Sequence, residues 1–278
     1  MTTAVTAPTL LHVRLRIGVV LALLLLLVGF LSVAWTPYPV DQLDPAAQLQ
    51  GASAAHLLGT DAHGRDVLSL MMKGLLTSFV VAGIATAIGL FAGVPLGAAA
   101  LAGGVWGQRL ILGGSGVFVS LSALGMAILL AAATAPSALN LMVAAGLLGV
   151  ATLARATCAA LAPQRGRDYV AAARLAGLGG WDLVRRHLLP NVMPRLVAAA
   201  LSFMATAALL EASLSFVGLG IQAPGSSLGL MLREAQPVMT AQALPVLVPG
   251  LALLLVALAL NLVATGIRHT VEGGRYAA

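Results

Sequence analysis

Two histidines and two aspartates that lie close together are the first candidates for chemistry: His56, Asp61, His63 and Asp66. Imidazole and carboxylate groups both bind divalent transition metals, nickel among them. Metal sites of known classes use recurrent ligand spacings, and the spacing of these four residues matches none of them. We therefore predict no metal site here and no cofactor elsewhere in the chain.

Glu211 is the one carboxylate that the sequence places beside an apolar span. An ionisable group inside a membrane is a functional candidate by default, because its burial in lipid is costly. Near the outer end of a helix, however, such a group more often pairs with a neighbour or faces water. We keep both interpretations open, with Glu211 as the candidate for contact with a substrate or a proton along a transmembrane pathway.

Nucleotide hydrolysis by this chain is excluded by its lysine content. A phosphate-binding loop of the Gly-x-x-x-x-Gly-Lys-Ser/Thr type needs a lysine that reaches the terminal phosphates. Lys73 is the only lysine, and Met72 precedes it. The sequence also lacks the His-Glu-x-x-His motif of zinc enzymes and the Gly-x-Ser-x-Gly motif of serine hydrolases. We predict that the chain is not an enzyme and carries no catalytic residues.

The composition of the chain predicts which secondary-structure elements hold these residues. Of 278 residues, 60% are hydrophobic and 9% are charged, so the chain cannot offer water the polar surface of a soluble domain. Helices of about 20 apolar residues cross a hydrocarbon core of about 30 Å. Cys158 is the only cysteine, so no intramolecular disulfide is possible. The sequence predicts an all-α integral membrane protein.

Six transmembrane helices are predicted from the uncharged runs. They are residues 17–35, 74–108, two helices of a hairpin within 110–154, 196–216 and 244–265. A cleaved signal peptide is the alternative for the first run, but its apolar stretch exceeds the roughly 7 to 15 residues of a signal core. The chain therefore divides into an N-terminal region, residues 1–73, and a five-helix core, residues 74–278.

Three polar segments connect the predicted spans. Residues 36–73 contain several prolines and most of the acidic residues, which is typical of an ordered extramembrane loop. Residues 163–195 are rich in arginine and lie between the fourth and fifth helices. A loop rich in glycine, proline and serine follows the fifth helix at residues 218–229.

The basic residues indicate the orientation, because lysine and arginine accumulate in short cytoplasmic loops. With the N-terminus inside, only Arg65, Lys73 and Arg233 lie outside. The cytoplasmic set is Arg14, Arg16, Arg109, Arg155, Arg165, Arg167, Arg174, Arg185, Arg186, Arg195, Arg268 and Arg275. Both termini and the 163–195 loop are therefore predicted to be cytoplasmic.

Three glycines at four-residue spacing, Gly89, Gly93 and Gly97, fall on one face of the second predicted helix. Small residues at this spacing let two helix backbones approach closely inside a membrane. We therefore predict a helix-packing role for them. Pro95 lies within the same stretch and predicts a kink.

The 163–195 loop is predicted to form two short helices. Asp168 is placed to cap the first, and Gly177 suits the left-handed turn that commonly follows a helix. Asp182 begins the second helix, and Pro190 is predicted to end it. The alanines at 171–173 expose backbone to a close partner, although a solvated connector is the simpler alternative.

The loop resembles the EAA signature of the dipeptide, oligopeptide and nickel permeases of ABC importers. The matching residues are Ala172, Ala173, Arg174, Gly177, His187, Leu189, Pro190 and Asn191. Other agreeing stretches are LGTDAHGRD at 58–66, EASLSFVGLG at 211–220, and Asn261 with Gly266 and Arg268. The resemblance covers almost the whole chain, and it implies that Asp61, Gly64, Arg65 and Asp66 are turn and helix-capping residues.

The family resemblance implies a permease in a bacterial inner membrane, with ATP hydrolysed by separate cytoplasmic subunits. It also implies a second, homologous permease and an extracytoplasmic substrate-binding protein. The ATPase would dock on the first short helix of the loop, which assigns the coupling to Ala171, Ala172, Ala173, Arg174 and Gly177.

The sequence departs from the family pattern in a few places. Ala171 replaces the acidic residue that names the signature, so docking must rest more on packing and on Arg174. Gln108, Gly113 and Gly116 stand where charges are usual, and Leu228 stands where an aromatic residue is usual. The cargo, whether dipeptide, oligopeptide, nickel or another solute, stays open. The alternative function is an ion-coupled secondary transporter or a channel, which usually shows more intramembrane charges than this chain has.

Overall fold

A computed structural model describes residues 7–120, 125–126, 128, 132, 136–178 and 180–273. In these ranges the regular structure is helical, apart from one isolated antiparallel bridge between Thr60 and Asp66. The prediction of an all-α protein is confirmed. Helices are the expected form for long apolar runs, because they satisfy every backbone hydrogen bond within one segment.

The α-helices follow one another along the chain with short connections in the C-terminal half. They are α1 (Ala7–Ala34), α2 (Val67–Ile88), α3 (Val94–Ala102), α4 (Gly104–Ser120), α5 (Ala138–Leu161), α6 (Asp168–Leu175), α7 (Gly180–Leu183), α8 (Leu189–Val217), α9 (Leu228–Ala235) and α10 (Leu244–Gly273). Two π-helical turns, Gly89–Gly93 and Val184–Leu188, join α2 to α3 and α7 to α8.

Five helical segments of the described residues are long and apolar enough to cross a membrane. They are Val13–Ala34, Val67–Leu101, Ala138–Gly166, Gly180–Val217 and Leu244–Thr270. The chain is a multi-pass membrane protein. Much of the predicted third span lies outside the described residues, and α4 covers its first part. The count of six therefore stays a prediction.

The glycine stripe packs the first π-helical turn and α3 against α5. A Cβ added at Gly89 would lie 2.8 Å from the carbonyl carbon of Gly149. One at Gly93 would lie 2.6 Å from the oxygen of Val150, and one at Gly97 would lie 2.5 Å from the oxygen of Ala154. Real Cβ atoms do not come so close to backbone, so the predicted packing role is confirmed.

The first and last long helices, α1 and α10, pack side by side through another pair of glycines. A Cβ on Gly18 would lie 2.7 Å from that of Leu262, and one on Gly266 would lie 2.8 Å from that of Leu15. A continuous apolar core then joins α1, α2, α8 and α10 around Leu75. The N-terminal helix is thus part of the bundle.

The structure differs from two predicted boundaries. Helix α2 begins at Val67 rather than after Lys73, because Asp66 caps it and accepts a hydrogen bond from the Ser69 N–H. Pro190 was predicted to end a short helix, and this is wrong. The chain stays helical through Pro190, because this proline lies in the first turn of α8, where no N–H is needed, directly after a π-helical turn in which the Leu189 N–H donates to the oxygen of Val184.

Candidate coupling surface and buried carboxylate site

Helix α6 of the 163–195 loop has one buried face and one exposed face. Val170 and Ala173 are buried in an apolar cluster that also contains Leu161 and Leu183. Ala171 and Ala172 are exposed, as a docking surface requires. The side chain of Arg174 lies outside the described part of the structure, so its predicted contact with a partner stays a prediction.

Gly177 ends this helix in the left-handed conformation, with φ of +79°. The Ala176 N–H donates to the oxygen of Ala172, and the Leu178 N–H donates to that of Ala173. These bonds satisfy carbonyls at the end of the helix. Nothing lies within 4 Å of a Cβ built on Gly177, so backbone conformation alone selects glycine here. The predicted conformation is confirmed.

Two large apolar side chains are exposed on either side of this turn. Leu175 is 90% exposed and Trp181 is 53% exposed.

Asp168 lies within the first turn of α6, where its charge complements the helix dipole, rather than at the preceding cap position. Asp182 pairs with Arg186 at 3.6 Å on the solvent side of the next helix.

Glu211 lies in the interior of the protein, on α8. It is 0% exposed, and its carboxylate accepts hydrogen bonds from the hydroxyls of Ser78 at 2.7 Å and Ser215 at 2.8 Å. The side chain of Ser227, the N-cap of α9, lies nearby. A buried carboxylate is stable only when such partners replace the lost water. The predicted contact of Glu211 with a substrate or a proton stays a prediction.

The three serines around Glu211 were not predicted from the sequence. Ser78 comes from α2, Ser215 from α8, and Ser227 is the N-cap of α9. The available signal was weak: a serine within an apolar run has a polar group that must find a partner. The sequence alone does not say which partner, because Ser78 and Glu211 are 133 positions apart.

The four candidate metal ligands divide into two separate arrangements. Asp66 caps α2, and its other oxygen lies 3.0 Å from Nδ1 of His56. Asp61 accepts hydrogen bonds from the N–H groups of His63 and Arg65 at 2.8 Å each. The turn and capping roles that the family resemblance implied for the two aspartates are confirmed.

A buried ion-pair cluster ties this loop to α9. The guanidinium of Arg65 donates to Asp61, with 2.7 Å from Nε to Oδ2, and also contacts Glu234 directly. Burial, the largest single influence, lowers the pKa of Arg65, but the hydrogen bonds and charges of Asp61 and Glu234 outweigh it and raise the pKa above its ordinary value. Arg65 stays charged and holds two otherwise repelling carboxylates together.

The Asp61, His63 and Glu234 side chains place potential ligand atoms within 4.8 Å of one another. Both carboxylates of this group already pair with Arg65. A fixed positive charge between two carboxylates opposes the approach of a second cation. The arrangement is therefore explained as a link between the outer loop and α9.

Comparison with known proteins shows similarity along nearly the whole chain. Residues 85–273 match the family model described as "Binding-protein-dependent transport system inner membrane component". The chain is 35% identical over 269 residues to the di/tripeptide transport system permease protein DppC of Pseudomonas aeruginosa, covering 94% of this chain and 88% of that protein.

Two further relatives carry similar names. The dipeptide transport system permease protein DppC of Haemophilus influenzae is 31% identical, over 92% of this chain and 89% of its own length. The probable D,D-dipeptide transport system permease protein DdpC of Escherichia coli is 32% identical, over 92% of this chain and 85% of its own length.

Proposed function

This chain belongs to the family of binding-protein-dependent transport system inner membrane components, and we propose that its cargo is a short peptide. It is a permease subunit of an ABC importer that forms a translocation pathway, and the ATP is hydrolysed on a partner subunit. The single observation that carries the peptide proposal is the 35% identity to a di/tripeptide permease across 94% of the chain.

We propose that the assembled importer contains a second, homologous permease besides the ATPase and the substrate-binding protein. The chain would contribute six spans, with residues 1–73 as an N-terminal region and 74–278 as the core. The exposed face of α6, with Ala171 and Ala172, and the turn at Gly177 would dock on the ATPase. The buried face around Val170 supports this, because it joins the docking helix to the bundle.

Peptide uptake by cells tests the proposed cargo. A strain lacking this gene should lose ATP-dependent uptake of a radiolabelled dipeptide, and expression of the chain should restore that uptake. The purified chain should show no ATPase activity alone, because it lacks a phosphate-binding loop. Counterflow driven by an ion gradient in liposomes that contain only this chain would instead support a secondary transporter.

The proposed orientation is tested by the labelling of single cysteines in intact cells. Ser53→Cys and Leu175→Cys are suitable, because both positions are exposed, and each would be made in a Cys158→Ser background. A membrane-impermeant thiol reagent should label position 53 and leave position 175 unlabelled until the cells are opened. Labelling of position 175 alone in intact cells would reverse the proposed orientation.

A further inference from the structure

Residues 218–235, here called the return segment, form the loop after α8 and the short helix α9. This segment begins at Gly218, which has φ of +93° and ends α8 in a left-handed turn. Its residues Ile221, Leu228 and Leu230 are buried. The segment is therefore packed into the bundle rather than lying over it.

Glu211 meets the return segment at two points, each beside a serine. Ser215 donates to Glu211 and accepts from the N–H of Ile221 at 3.2 Å. Ser227 lies beside Glu211 and accepts from the N–H of Leu230 at 3.2 Å. The carboxylate is thus linked through Ser215 to the loop just after α8, and it lies next to the N-cap of α9.

The same carboxylate also ties the return segment to α2. Ser78 of α2 donates to its second oxygen, and nearby Ser226 donates to the carbonyl oxygen of Leu70 at 3.0 Å. A Cβ on Gly74 would lie 3.2 Å from the nitrogen of Leu228, so α2 and the return segment are in backbone contact. A displacement of the return segment away from α2 would break these contacts.

We propose that Glu211 is a positioning residue: its carboxylate fixes the return segment against α2 and α8, and so sets the shape of the outer end of the pathway. This inference rests on the proposed function for its effect on transport, but not for its effect on structure. Ser78 and Ser215 donate to different oxygens of the carboxyl group, so both oxygens act as acceptors here. An amide at this position would offer acceptors on one oxygen only.

Direct contact with cargo is the competing role for Glu211. The carboxylate is fully buried in this conformation, and serine hydroxyls reach both of its oxygens. A cargo contact would require breaking these hydrogen bonds. The two roles differ in measurable ways, because a positioning residue changes the maximal rate of uptake, whereas a cargo contact changes the KM.

Thiol reactivity tests the structural part on the purified protein. Ser226→Cys, in a Cys158→Ser background, places a thiol at a position that is 6% exposed. We expect Glu211→Ala to speed the reaction of this thiol with N-ethylmaleimide at least tenfold, and Glu211→Gln to speed it severalfold. Ser213→Ala is the matched control, because Ser213 is an exposed serine of the same helix that bonds only to the oxygen of Leu209.

Uptake of a labelled dipeptide, at equal membrane abundance, tests the transport part. We expect Glu211→Ala to lower the maximal rate at least tenfold with an unchanged KM, and Ser213→Ala to change neither. An unchanged thiol reaction in Glu211→Ala, or a raised KM at normal maximal rate, overturns the proposal. If Glu211→Ala does not accumulate, Glu211→Gln decides it by the same readouts. Absence of uptake by the parent protein would contradict the peptide proposal and leave the thiol test intact.

Discussion

Gly93→Val should sharply reduce the amount of folded protein in the membrane. A Cβ at this position would lie 2.6 Å from the oxygen of Val150 and 3.1 Å from the nitrogen of Ala154, both backbone atoms of α5. Backbone cannot move aside as a flexible side chain can, so the two helices must separate. Overpacking of this kind costs about 3 kcal/mol. A loss of this size lowers the steady-state abundance severalfold.

The measurement is immunoblotting of membranes, together with the apparent Tm of the purified protein. Gly83→Ala is the matched control, because Gly83 lies on the adjoining helix α2 and the nearest atom to a Cβ there is Cε of Met204, at 3.9 Å. It should keep normal abundance and a normal Tm. Equal abundance of both variants would mean that the π-helical turn at Gly89–Gly93 is not in close contact with α5 in the membrane.

Gly177→Val is expected to lower dipeptide uptake about tenfold while leaving the abundance of the chain normal. The glycine adopts φ of +79°, which a β-branched residue tolerates poorly. The left-handed conformation costs an L-residue about 1–2 kcal/mol, and about 1.4 kcal/mol is a factor of ten in population. Because the site is open, the effect arises from backbone conformation and not from a clash within the chain.

Co-purification of the ATPase should fall together with uptake in Gly177→Val. Gly177→Asn is the matched control, because asparagine visits the left-handed region far more readily than valine does. It should retain most of the uptake. Normal uptake in the valine variant at normal abundance would remove the turn after α6 from the coupling mechanism.

The features that sequence predicted correctly depend on local rules. A repeat of glycine at every fourth residue indicates a helix-packing face, as at Gly89, Gly93 and Gly97. This inference needs no knowledge of the partner helix. Gly177 follows an alanine-rich helix, where a left-handed turn is common. The capping role of Asp66, which the family resemblance implied, also acts locally, on the first turn of α2. In each case the cause lies within a few residues of its effect.

The features that sequence did not predict depend on distant contacts. The serine cluster at Glu211 joins α2, α8 and α9, and nothing in the spacing of Ser78 indicates its partner. Arg65 reaches Glu234 across 169 positions for the same reason. Pro190 is a different case: proline usually ends a helix, but this one lies in the first turn of α8, where no N–H is needed, directly after a π-helical turn.

Helix α8 runs from the 163–195 loop to Glu211 as one helix, with Pro194 in its second turn. Its axial length from Leu189 to Glu211 is about 33 Å, at about 1.5 Å for each residue. A lever of this length that tilts by about 5° at its cytoplasmic end moves its far end by about 3 Å. That displacement equals the length of a hydrogen bond. With the ATPase docked on the 163–195 loop as proposed, a tilt of this size would be enough to pull the Glu211 carboxylate out of reach of Ser78.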